Sequence, residues 1–338
     1  MAAANEMPPQ ALVMQALFGF MVTRCLSAVA ALGVPDALND GPLYYTDLAQ
    51  ATGTDQKALH RVMRMLSGVG IFAEPEPGRY ALTPASQLLR SDVPGSMRDM
   101  AVMITSASHW LPWGRMEDVL RTGVSGPQHE FGTDVFTWFQ QDANHDQWVI
   151  FNAAMTSFSS GVSHAVADAF DVSRFTRLVD IGGGHGYLLK TMLEKAPRAT
   201  GTLFDLPGVV DADDAKRLGP RIQRVGGSFF TEVPAGGDCY TLKHIIHDWS
   251  DEQCVAILLN VARAMQPTGT VLIIELVMPE DGGPHPAKFM DVNMLAMTEG
   301  GCERTARQYA ELLQKAGLRL VKIHPTPSPV SIVEATRA

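Results

Sequence analysis

The sequence has 338 residues, of which 46% are apolar and 19% charged, so it can form two domains and bury a substantial core. Its formal net charge of −9 excludes long-range attraction of the whole chain to nucleic acid or anionic lipid. A small molecule or a second copy of the chain is therefore the expected partner. The N-terminus lacks a signal-peptide pattern, and no uninterrupted apolar run approaches the roughly 18–20 residues of a membrane span. We expect a cytoplasmic protein with neither a membrane nor a nucleic-acid partner.

The four cysteines are scattered along the sequence and show no CxxC spacing. This distribution is typical of reduced thiols and predicts neither a disulfide framework nor a zinc site. The residues concerned are Cys25, Cys239, Cys254 and Cys302.

The first 100 residues show helical periodicity and one hairpin. A strongly apolar helix is predicted over about residues 11–32. A helix, a turn, a second helix and a two-stranded wing around residues 74–79 follow, which is the outline of a winged helix. Thr46 and Thr54 are the predicted N-caps of the two helices, and Gly70 is predicted to end the second.

A winged helix can bind DNA or pack against a second subunit. The first 100 residues hold seven basic and nine acidic residues, so a phosphate-binding face would have to be local. Lys57, His60, Arg61 and Arg64 leave room for such a face. The apolar first helix favours dimerisation, because an apolar stripe of this kind needs a partner. We predict an N-terminal all-α winged-helix dimerisation domain over residues 1–100.

Residues 101–168 are predicted to be helical and are rich in aromatic side chains and methionine. Most of these side chains are expected to pack in the core, and a few to line a pocket for a flat apolar ligand. The sequence alone does not say which do so.

From residue 169 to residue 338, short β runs alternate with helices, which predicts a Rossmann-like α/β domain with a doubly wound, mostly parallel sheet. A closing antiparallel pair and an amphipathic helix ending at Gly317 complete it. The β runs cover residues 177–183, 201–206, 221–227, 238–245, 269–278, 319–326 and 328–337.

A glycine-rich loop, DIGGGHG over residues 180–186, ends the first of these strands and precedes a helix. Glycines permit a sharp turn and close approach of a ligand, and a helix N-terminus presents free amides. The D-x-G-x-G-x-G spacing differs from the GxGxxG of a pyrophosphate loop, and it suits S-adenosylmethionine. A purely structural turn is the alternative.

Asp205, about 20 residues further on, ends the next strand, where a carboxylate can accept ribose hydroxyls. A helix-capping aspartate is the alternative for this residue. The loop and the acid together predict nucleoside binding.

The segment TLKHIIHDWSDEQC, residues 241–254, places His247 at the end of the fourth strand, on the ligand side of the sheet. Ser250 is the predicted cap of the following helix, but capping does not explain His247. A general base, a metal ligand and a turn histidine are the competing interpretations. If the strand continues to His247, then His244 points to the opposite face, which argues against shared metal ligation. We expect no metal.

Five short motifs follow one another in this half of the chain. They are DxGxGxG at 180–186, FDLP at 204–207, LKxxxHDWSDExC at 242–254, IIELVMP at 273–279 and DxNMLAxxxGGxERT at 291–305. This combination resembles the small-molecule O-methyltransferase family, which includes plant caffeate and isoflavone enzymes and bacterial anthracycline and phenazine tailoring enzymes. The resemblance extends to the N-terminal winged helix, which matches the family's dimerisation domain.

The resemblance implies S-adenosylmethionine as the cofactor, a homodimer and a set of site residues. His247 matches the proton acceptor of the family, Glu275 and Glu303 match the carboxylates that position it, and Asp248 lies beside it. The implied cofactor-binding residues are Asp180, Gly182, Gly184, Asp205, Leu206, Ser228, Phe229, Lys243 and Trp249. The implied acceptor-binding residues are His109, Phe151, Met155 and Met294.

One departure from the family stands at Ser228, where an acid commonly lies next to the adenine. We expect weaker adenine recognition at this position, since a hydroxyl can still form a hydrogen bond.

The implied reaction is methyl transfer to an aromatic hydroxyl. A phenol has a pKa of about 10, so few molecules are ionised at neutral pH. A neutral imidazole that accepts the proton typically contributes a factor of about 10²–10⁴. Methylation of carbon or nitrogen, or a decarboxylating or hydroxylating reaction with the same cofactor, remains an alternative. A ligand-sensing winged-helix regulator is disfavoured by the acidic N-terminal balance.

Overall fold

The computed structural model describes residues 8–211 and 218–338, without the side chains of 158–160. The chain forms two compact units, residues up to Trp110 with Val149–Phe158, and Leu111–Trp148 with Ser159–Ala338. The division differs from the predicted segments 1–100, 101–168 and 169–338, because the middle segment contributes to both units. The helices Ala107–Trp113 and His145–Ala169 each include residues of both.

The first unit combines helices with a small antiparallel sheet of order β1-β3-β2. The hairpin of β2 and β3 confirms the predicted wing, whereas the third strand was not predicted. The strands are β1 (Leu43–Tyr44), β2 (Phe72–Glu76) and β3 (Arg79–Leu82). The helices are Pro9–Ala31, Val34–Ala37, Tyr45–Thr52, Gln56–Gly68, Pro84–Gln87 and Arg98–Ile104.

The helix boundaries in this unit correct two predicted caps. The helix after Tyr44 has no side-chain cap, and Thr46 lies within its first turn. The next helix is capped by Asp55, whose carboxylate accepts the Ala58 N–H at 2.8 Å, and not by Thr54. An aspartate in extended conformation satisfies this amide well. Gly70 ends the helix as predicted, because its φ of 82° is the left-handed conformation that glycine adopts readily.

The first helix, Pro9–Ala31, is apolar around its whole circumference. Its mean hydropathy reaches 1.6 over 18 residues, only 11% of that window is buried, and it is long and apolar enough to cross a membrane by length and composition. Gln15 and Arg24 interrupt the apolar residues of this helix, so the sequence contains no uninterrupted apolar run of membrane-spanning length. A helix that packs against a second protein chain satisfies the same criteria.

The second unit is built on a seven-stranded sheet of order β11-β12-β8-β7-β4-β5-β6. Strands β4 to β8 run parallel, and β12 is antiparallel to both β8 and β11, as the sequence predicts. The seven strands of this sheet are β4 (Arg177–Ile181), β5 (Thr200–Asp205), β6 (Ile222–Gly226), β7 (Cys239–Lys243), β8 (Thr270–Glu275), β11 (Leu318–Pro325) and β12 (Ser331–Arg337).

Helices cover the sheet, and a short parallel pair, β9 (Val277–Met278) with β10 (Arg304–Thr305), lies beyond β8. The order of the strands reverses at β4, which pairs with β5 on one side and β7 on the other. Ligands bind at such a switch point, beyond the carboxyl ends of the strands. The helices are Met116–Thr122, Gly126–Phe131, Val135–Phe139, Tyr187–Lys195, Pro207–Val210, Asp251–Ala264, Pro286–Met297 and Ala306–Lys315, with 3₁₀ turns at Asp142–Asn144 and Ile246–Asp248.

Arg304 fixes the segment that links β7 to the next helix. Its side chain is only 1% exposed, and its guanidinium donates to the carbonyl oxygens of Ile246 and Trp249, both at 2.9 Å. Its Nε also donates to Asp251 at 2.9 Å. One buried cation therefore satisfies the two carbonyls on either side of the turn that carries His247.

Replacing Arg304 by methionine should destabilise the protein, because it removes the charged donor of these two carbonyls and leaves them the weaker thiol of Cys254, at 3.1 and 3.4 Å. A hydrogen bond to a charged group contributes about 1.5–3 kcal/mol. The free energy of unfolding from urea titration measures the loss. Arg307→Met is the matched control, since Arg307 follows closely in the chain and is exposed, and its unfolding midpoint should match the wild type. Equal midpoints for both variants would contradict a role for Arg304 in the fold.

Candidate active site

Four neighbouring strands, in the order β8-β7-β4-β5, each bring a predicted site residue to the same edge of the sheet. Glu275 ends β8, Lys243 ends β7, Asp205 ends β5, and Asp180 is the last but one residue of β4. The parallel topology therefore collects residues that are up to 95 positions apart in sequence. This edge is the candidate active site.

The glycine loop after β4 leaves little space for a side chain at Gly182, Gly183 and Gly186. Gly182, Gly184 and Gly186 all have left-handed φ angles, of 64°, 58° and 78°. A Cβ on Gly183 would lie 2.6 Å from Oδ2 of Asp180, and one on Gly182 would overlap the side chain of Ile245. Without side chains at these positions, a nucleoside can approach the backbone of the loop closely.

Asp180 supplies a buried carboxylate oxygen beneath this loop. Its Oδ1 accepts the Thr241 hydroxyl at 2.6 Å, while its Oδ2 has no hydrogen-bond partner among the residues that the structure describes. Burial raises the pKa of Asp180 to about 6, against the lowering effects of Thr241 and Lys243. A buried carboxylate oxygen without a donor fits a cationic or N–H-bearing ligand.

Asp205 ties the glycine loop to β5. Its two carboxylate oxygens accept the N–H groups of Gly184 and Leu206, at 2.8 and 2.7 Å. Burial raises the pKa of Asp205, and these two N–H groups act in the opposite direction. The sequence suggested a ribose-binding role or a helix-capping role, whereas the structure adds a bond to the loop. Each oxygen keeps a second lone pair, so the carboxylate can still accept a ribose hydroxyl.

Three phenylalanine rings surround Trp249 next to this loop. Its ring centroid lies 5.9 Å from that of Phe229, 4.8 Å from Phe230 and 6.3 Å from Phe136. Ser228 precedes them, and its Oγ accepts the Phe230 N–H at 3.4 Å. The GGSFF motif pointed to Phe229, but sequence reasoning missed Phe230. Phe229, Phe230 and Trp249 meet edge to face, at interplanar angles of 61–90°, and form an aromatic cluster beside the loop.

The turn that carries His247 is wrapped around the carboxylate of Glu275. Strand β7 ends at Lys243, and the 3₁₀ turn Ile246–Asp248 follows. Oε1 of Glu275 accepts the backbone N–H groups of Ile245 and Ile246, both at 3.0 Å, and that of His247 at 3.4 Å. Three consecutive amides directed at one oxygen fix the path of the backbone here.

The imidazole of His247 is buried between carboxylates. Its Nδ1 lies 2.7 Å from Oε1 of Glu303 and 3.4 Å from Oε2 of Glu275. Its Nε2 lies 3.6 Å from Oδ1 of Asp248. The structure therefore brings together all four residues that the resemblance implied for catalysis. In the neutral ring, a proton on Nδ1 shared with Glu303 leaves Nε2 as a proton acceptor.

This environment sets the proton affinity of the ring. Burial disfavours the imidazolium, but Glu275, Asp248 and Glu303 outweigh it and raise the pKa of His247 to about 10. Burial raises the pKa of Asp248 to about 6, although His247 opposes the shift. Glu275 has a lowered pKa despite its burial, because His247, His244 and the backbone amides stabilise its charge.

Glu303 reaches His247 because its segment runs beside the strand that follows Glu275. Strand β10 pairs with β9 so that Arg304 lies opposite Val277. Oδ1 of Asp291 accepts the Glu303 N–H at 2.9 Å. A Cβ on Gly301 would lie 2.5 Å from the His247 carbonyl oxygen, so glycine permits this close approach. The resemblance implied the contact of Glu303 with His247, but the sequence did not reveal the contacts of Asp291 and Gly301.

The expectation that His244 and His247 point to opposite faces is wrong. Their ring centroids are 5.2 Å apart, and Nδ1 of His244 lies 3.5 Å from Oε2 of Glu275. The strand ends one residue before His244, and His244 adopts a left-handed φ of 53°, so strand alternation no longer applies. Ligand atoms of His244, His247 and Glu275 all lie within 4.8 Å of one another.

The residues implied for acceptor binding are divided between the two units. In the first, His109 is buried, its Nδ1 lies 2.9 Å from the Ser108 hydroxyl, and its ring stacks on Phe151 at 6.1 Å. Burial lowers the pKa of His109 to about 4, so this ring is neutral. Met155 is half-buried in the same unit, and Met294 is buried in the second. Their role in acceptor binding stays a prediction.

The remaining implied residues lie at the ends of β5 and β7. Leu206 is exposed immediately after Asp205. Lys243 is half-buried, and burial lowers its pKa, while Asp180 and Glu275 act to raise it.

Most of the chain matches the models of one protein family. The model of the O-methyltransferase domain matches residues 113–319, and that of the O-methyltransferase dimerisation domain matches residues 14–92. The chain is 40% identical to the phenazine O-methyltransferase PhzM of Lysobacter antibioticus, over 98% of this chain and 97% of that protein. It is 34% identical to an 8-amino-8-demethylriboflavin N,N-dimethyltransferase of Streptomyces davaonensis, over 93% and 91% of the two chains.

A solved structure extends the similarity to the fold. The O-methyltransferase NcsB1 from neocarzinostatin biosynthesis, in complex with S-adenosylmethionine and 2-hydroxy-5-methyl naphthoic acid, superimposes with a TM-score of 0.80. The match has 31% identity and covers 99% of this chain and all of that chain. The chain therefore belongs to the O-methyltransferase family and is an S-adenosylmethionine-dependent methyltransferase that carries the family's dimerisation domain.

Proposed function

We propose that the enzyme transfers a methyl group to a hydroxyl of an aromatic small molecule of secondary metabolism, with His247 as the general base. The observation that carries the proposal is the 2.7 Å contact between His247 Nδ1 and the buried Glu303 carboxylate, which orients the ring. Relatives support the acceptor class, since one is named for phenazine and NcsB1 binds a hydroxylated naphthoic acid.

The residues at the carboxyl edge of the sheet fit the cofactor. The glycine loop admits close backbone approach, and Asp180 presents a buried oxygen without a donor. The rings around Trp249 would pack on the adenine, and Asp205 would accept ribose hydroxyls. S-adenosylmethionine supplies an electrophilic methyl group on a positively charged sulfur.

His247 is suited to accept a phenolic proton because its pKa is near that of the acceptor. A free phenol has a pKa of about 10, and the carboxylates raise the pKa of His247 to about 10, so proton transfer between them costs little. The carboxylates Glu303 and Glu275 then stabilise the imidazolium that forms. A positive charge bound nearby lowers the pKa of His247 and increases the neutral fraction of the ring.

Asp248 lies on the Nε2 side of the His247 ring. Its Oδ1 is 3.6 Å from Nε2, which exceeds a hydrogen bond but leaves a strong charge interaction. We propose that Asp248 stabilises the imidazolium together with the two glutamates.

The apolar first helix supports a homodimer. Residues 14–92 match the dimerisation domain, and Leu12, Leu17 and Phe20 are each more than half exposed in the single chain. Burial of this surface by a second copy would remove a large apolar area from water. A helix covered in this way needs no membrane, which agrees with a cytoplasmic enzyme.

Methylation of an amine is the second candidate. It is favoured by the 34% identity to a protein named as an N,N-dimethyltransferase. An aromatic amine also loses a proton during methylation, so the same imidazole could accept it. The two candidates differ in the acceptor alone.

Replacing His247 by glutamine should lower turnover on the best acceptor by a factor of about 10²–10⁴, because the base is lost. The acceptor is first found by screening matched aromatic hydroxyls and amines with methyl-labelled S-adenosylmethionine. Calorimetry should give an unchanged dissociation constant for the cofactor. His129→Gln is the matched control. The His129 imidazole forms a hydrogen bond with the Thr122 hydroxyl in the same unit, and this variant should keep the wild-type rate. Near-native turnover of His247→Gln would remove His247 as the base.

Replacing Glu303 by glutamine should shift the pH profile of kcat/KM. The neutral form of His247 is the active one, so kcat/KM rises with pH through the pKa of the ring. Loss of a carboxylate that raises this pKa moves the rising limb to lower pH. Glu311→Gln, an exposed glutamate on the next helix, should leave the profile in place. A profile that stays fixed or moves to higher pH in Glu303→Gln would contradict the assignment.

Introducing a charge on the first helix should break the dimer. Light scattering of the wild type should give roughly twice the chain mass of 36.6 kDa. Leu17→Glu, at a side chain that is 59% exposed in the single chain, should shift the mass towards the monomer. Leu120→Glu places the same charge at an exposed leucine of the second unit and should remain dimeric. An unchanged mass for Leu17→Glu would argue against an interface on this helix.

A further inference from the structure

His244 has no role in the proposed methyl transfer, yet it lies beside the residues that do. Its ring, the ring of His247 and the carboxylate of Glu275 converge so that one ligand atom from each lies within 4.8 Å of the others. Two imidazoles and a carboxylate are ligands that zinc and related transition ions prefer. We propose that these three residues form a binding site for a divalent transition-metal ion such as Zn²⁺, which inhibits the enzyme by capturing His247.

Two of the three separations between the ligand residues fit a tetrahedral ion. With bonds of about 2.0–2.1 Å, two ligands of tetrahedral zinc lie about 3.3–3.4 Å apart. Oε2 of Glu275 lies 3.5 Å from Nδ1 of His244 and 3.4 Å from Nδ1 of His247. The ligand atoms of the two imidazoles lie within 4.8 Å of each other, so the rings must move closer together to share one ion.

The site is preorganised by the backbone. Among the residues that the structure describes, His244 is the one non-glycine residue with a left-handed φ, and this conformation turns its ring towards Glu275. Glu275 is held by the backbone amides that its Oε1 accepts. Its Oε2 is fully buried and has no hydrogen-bond partner in the described part of the chain. A carboxylate oxygen of this kind gains most from a cation.

Binding of the ion would change the tautomer of His247. Without the ion, Glu303 accepts the proton on Nδ1, and Nε2 of the neutral ring is free to accept another. Coordination through Nδ1 displaces that proton, and the neutral ring then carries its proton on Nε2. The base can no longer accept a proton from an acceptor. Binding of the ion is independent of the proposed function, whereas its inhibitory effect rests on His247 as the base.

The experiment uses the full-length enzyme and three ions as chlorides. Zn²⁺ is titrated into the methyltransferase assay, Co²⁺ is followed by the visible absorption that tetrahedral coordination produces, and Mg²⁺ is the oxygen-preferring control. We expect Zn²⁺ to inhibit, Co²⁺ to give a tetrahedral spectrum at one ion per chain, and Mg²⁺ to do neither.

His244→Asn tests the site, because asparagine tolerates a left-handed φ and lacks the imidazole. The loss of an outer-shell partner alone weakens metal affinity roughly 10–100-fold, so the loss of a ligand should raise the half-inhibitory Zn²⁺ concentration at least that much. Each variant is compared with its own metal-free rate. His244→Gly serves as a second variant, since glycine adopts this φ without strain.

Cysteine thiols are the main competing zinc ligands, and the half-buried Cys302 lies next to Glu303 in sequence. Cys302→Ser should be inhibited like the wild type. Equal inhibition of the wild type and both His244 variants, or loss of inhibition in Cys302→Ser, would overturn the proposal. The Co²⁺ spectrum reports binding of the ion without any turnover. An active His247→Gln variant would therefore contradict the role of His247 as the base, while the Co²⁺ spectrum of the wild type would still decide whether the metal site exists.

Discussion

The buried carboxylate of Glu275 is the constraint on which the site depends. It is fully buried at the end of β8, where an unpaired charge would be very costly. Backbone amides of Ile245 and Ile246 donate to one oxygen, and the His247 ring lies near the other. The polypeptide therefore turns around the carboxylate because the carboxylate requires donors. The position of the His247 imidazole is a consequence of that requirement.

The second support is the short segment Glu303–Arg304, which places an anionic and a cationic side chain next to each other. Glu303 contacts the imidazole of His247, while the neighbouring Arg304 holds the carbonyls of Ile246 and Trp249 at the two ends of the same turn. Consecutive side chains on an extended segment point to opposite sides. This alternation lets one extended segment direct the Glu303 carboxylate to one side of the turn and the Arg304 guanidinium to the other. Orientation of the base and stability of its turn are therefore linked through one backbone.

The sequence predicted the sheet, the glycine loop, His247 and the three carboxylates around it, because these depend on local pattern and on motifs. It failed where a single backbone angle decides the geometry. Strand alternation placed His244 away from His247, but β7 ends at Lys243 and the left-handed φ of His244 reverses the ring. It also missed the contacts of Arg304, because hydrogen bonds between side chain and main chain across 55–58 residues leave no periodic signal. The cap at Asp55 shows the same limit, since adjacent polar residues compete for one position.

The charge balance of the site explains why it suits a cationic methyl donor. Asp180, Asp205, Asp248, Glu275 and Glu303 lie at one edge of the sheet or at the turn beside it. The buried cations there are fewer than these acids. Burial raises the pKa of Asp180 and of Asp248 to about 6, because each carboxylate is removed from water. A positively charged ligand lowers that cost, whereas the neutral product of methyl transfer does not. The same surplus of negative charge that favours the donor also makes the turn attractive to a metal ion.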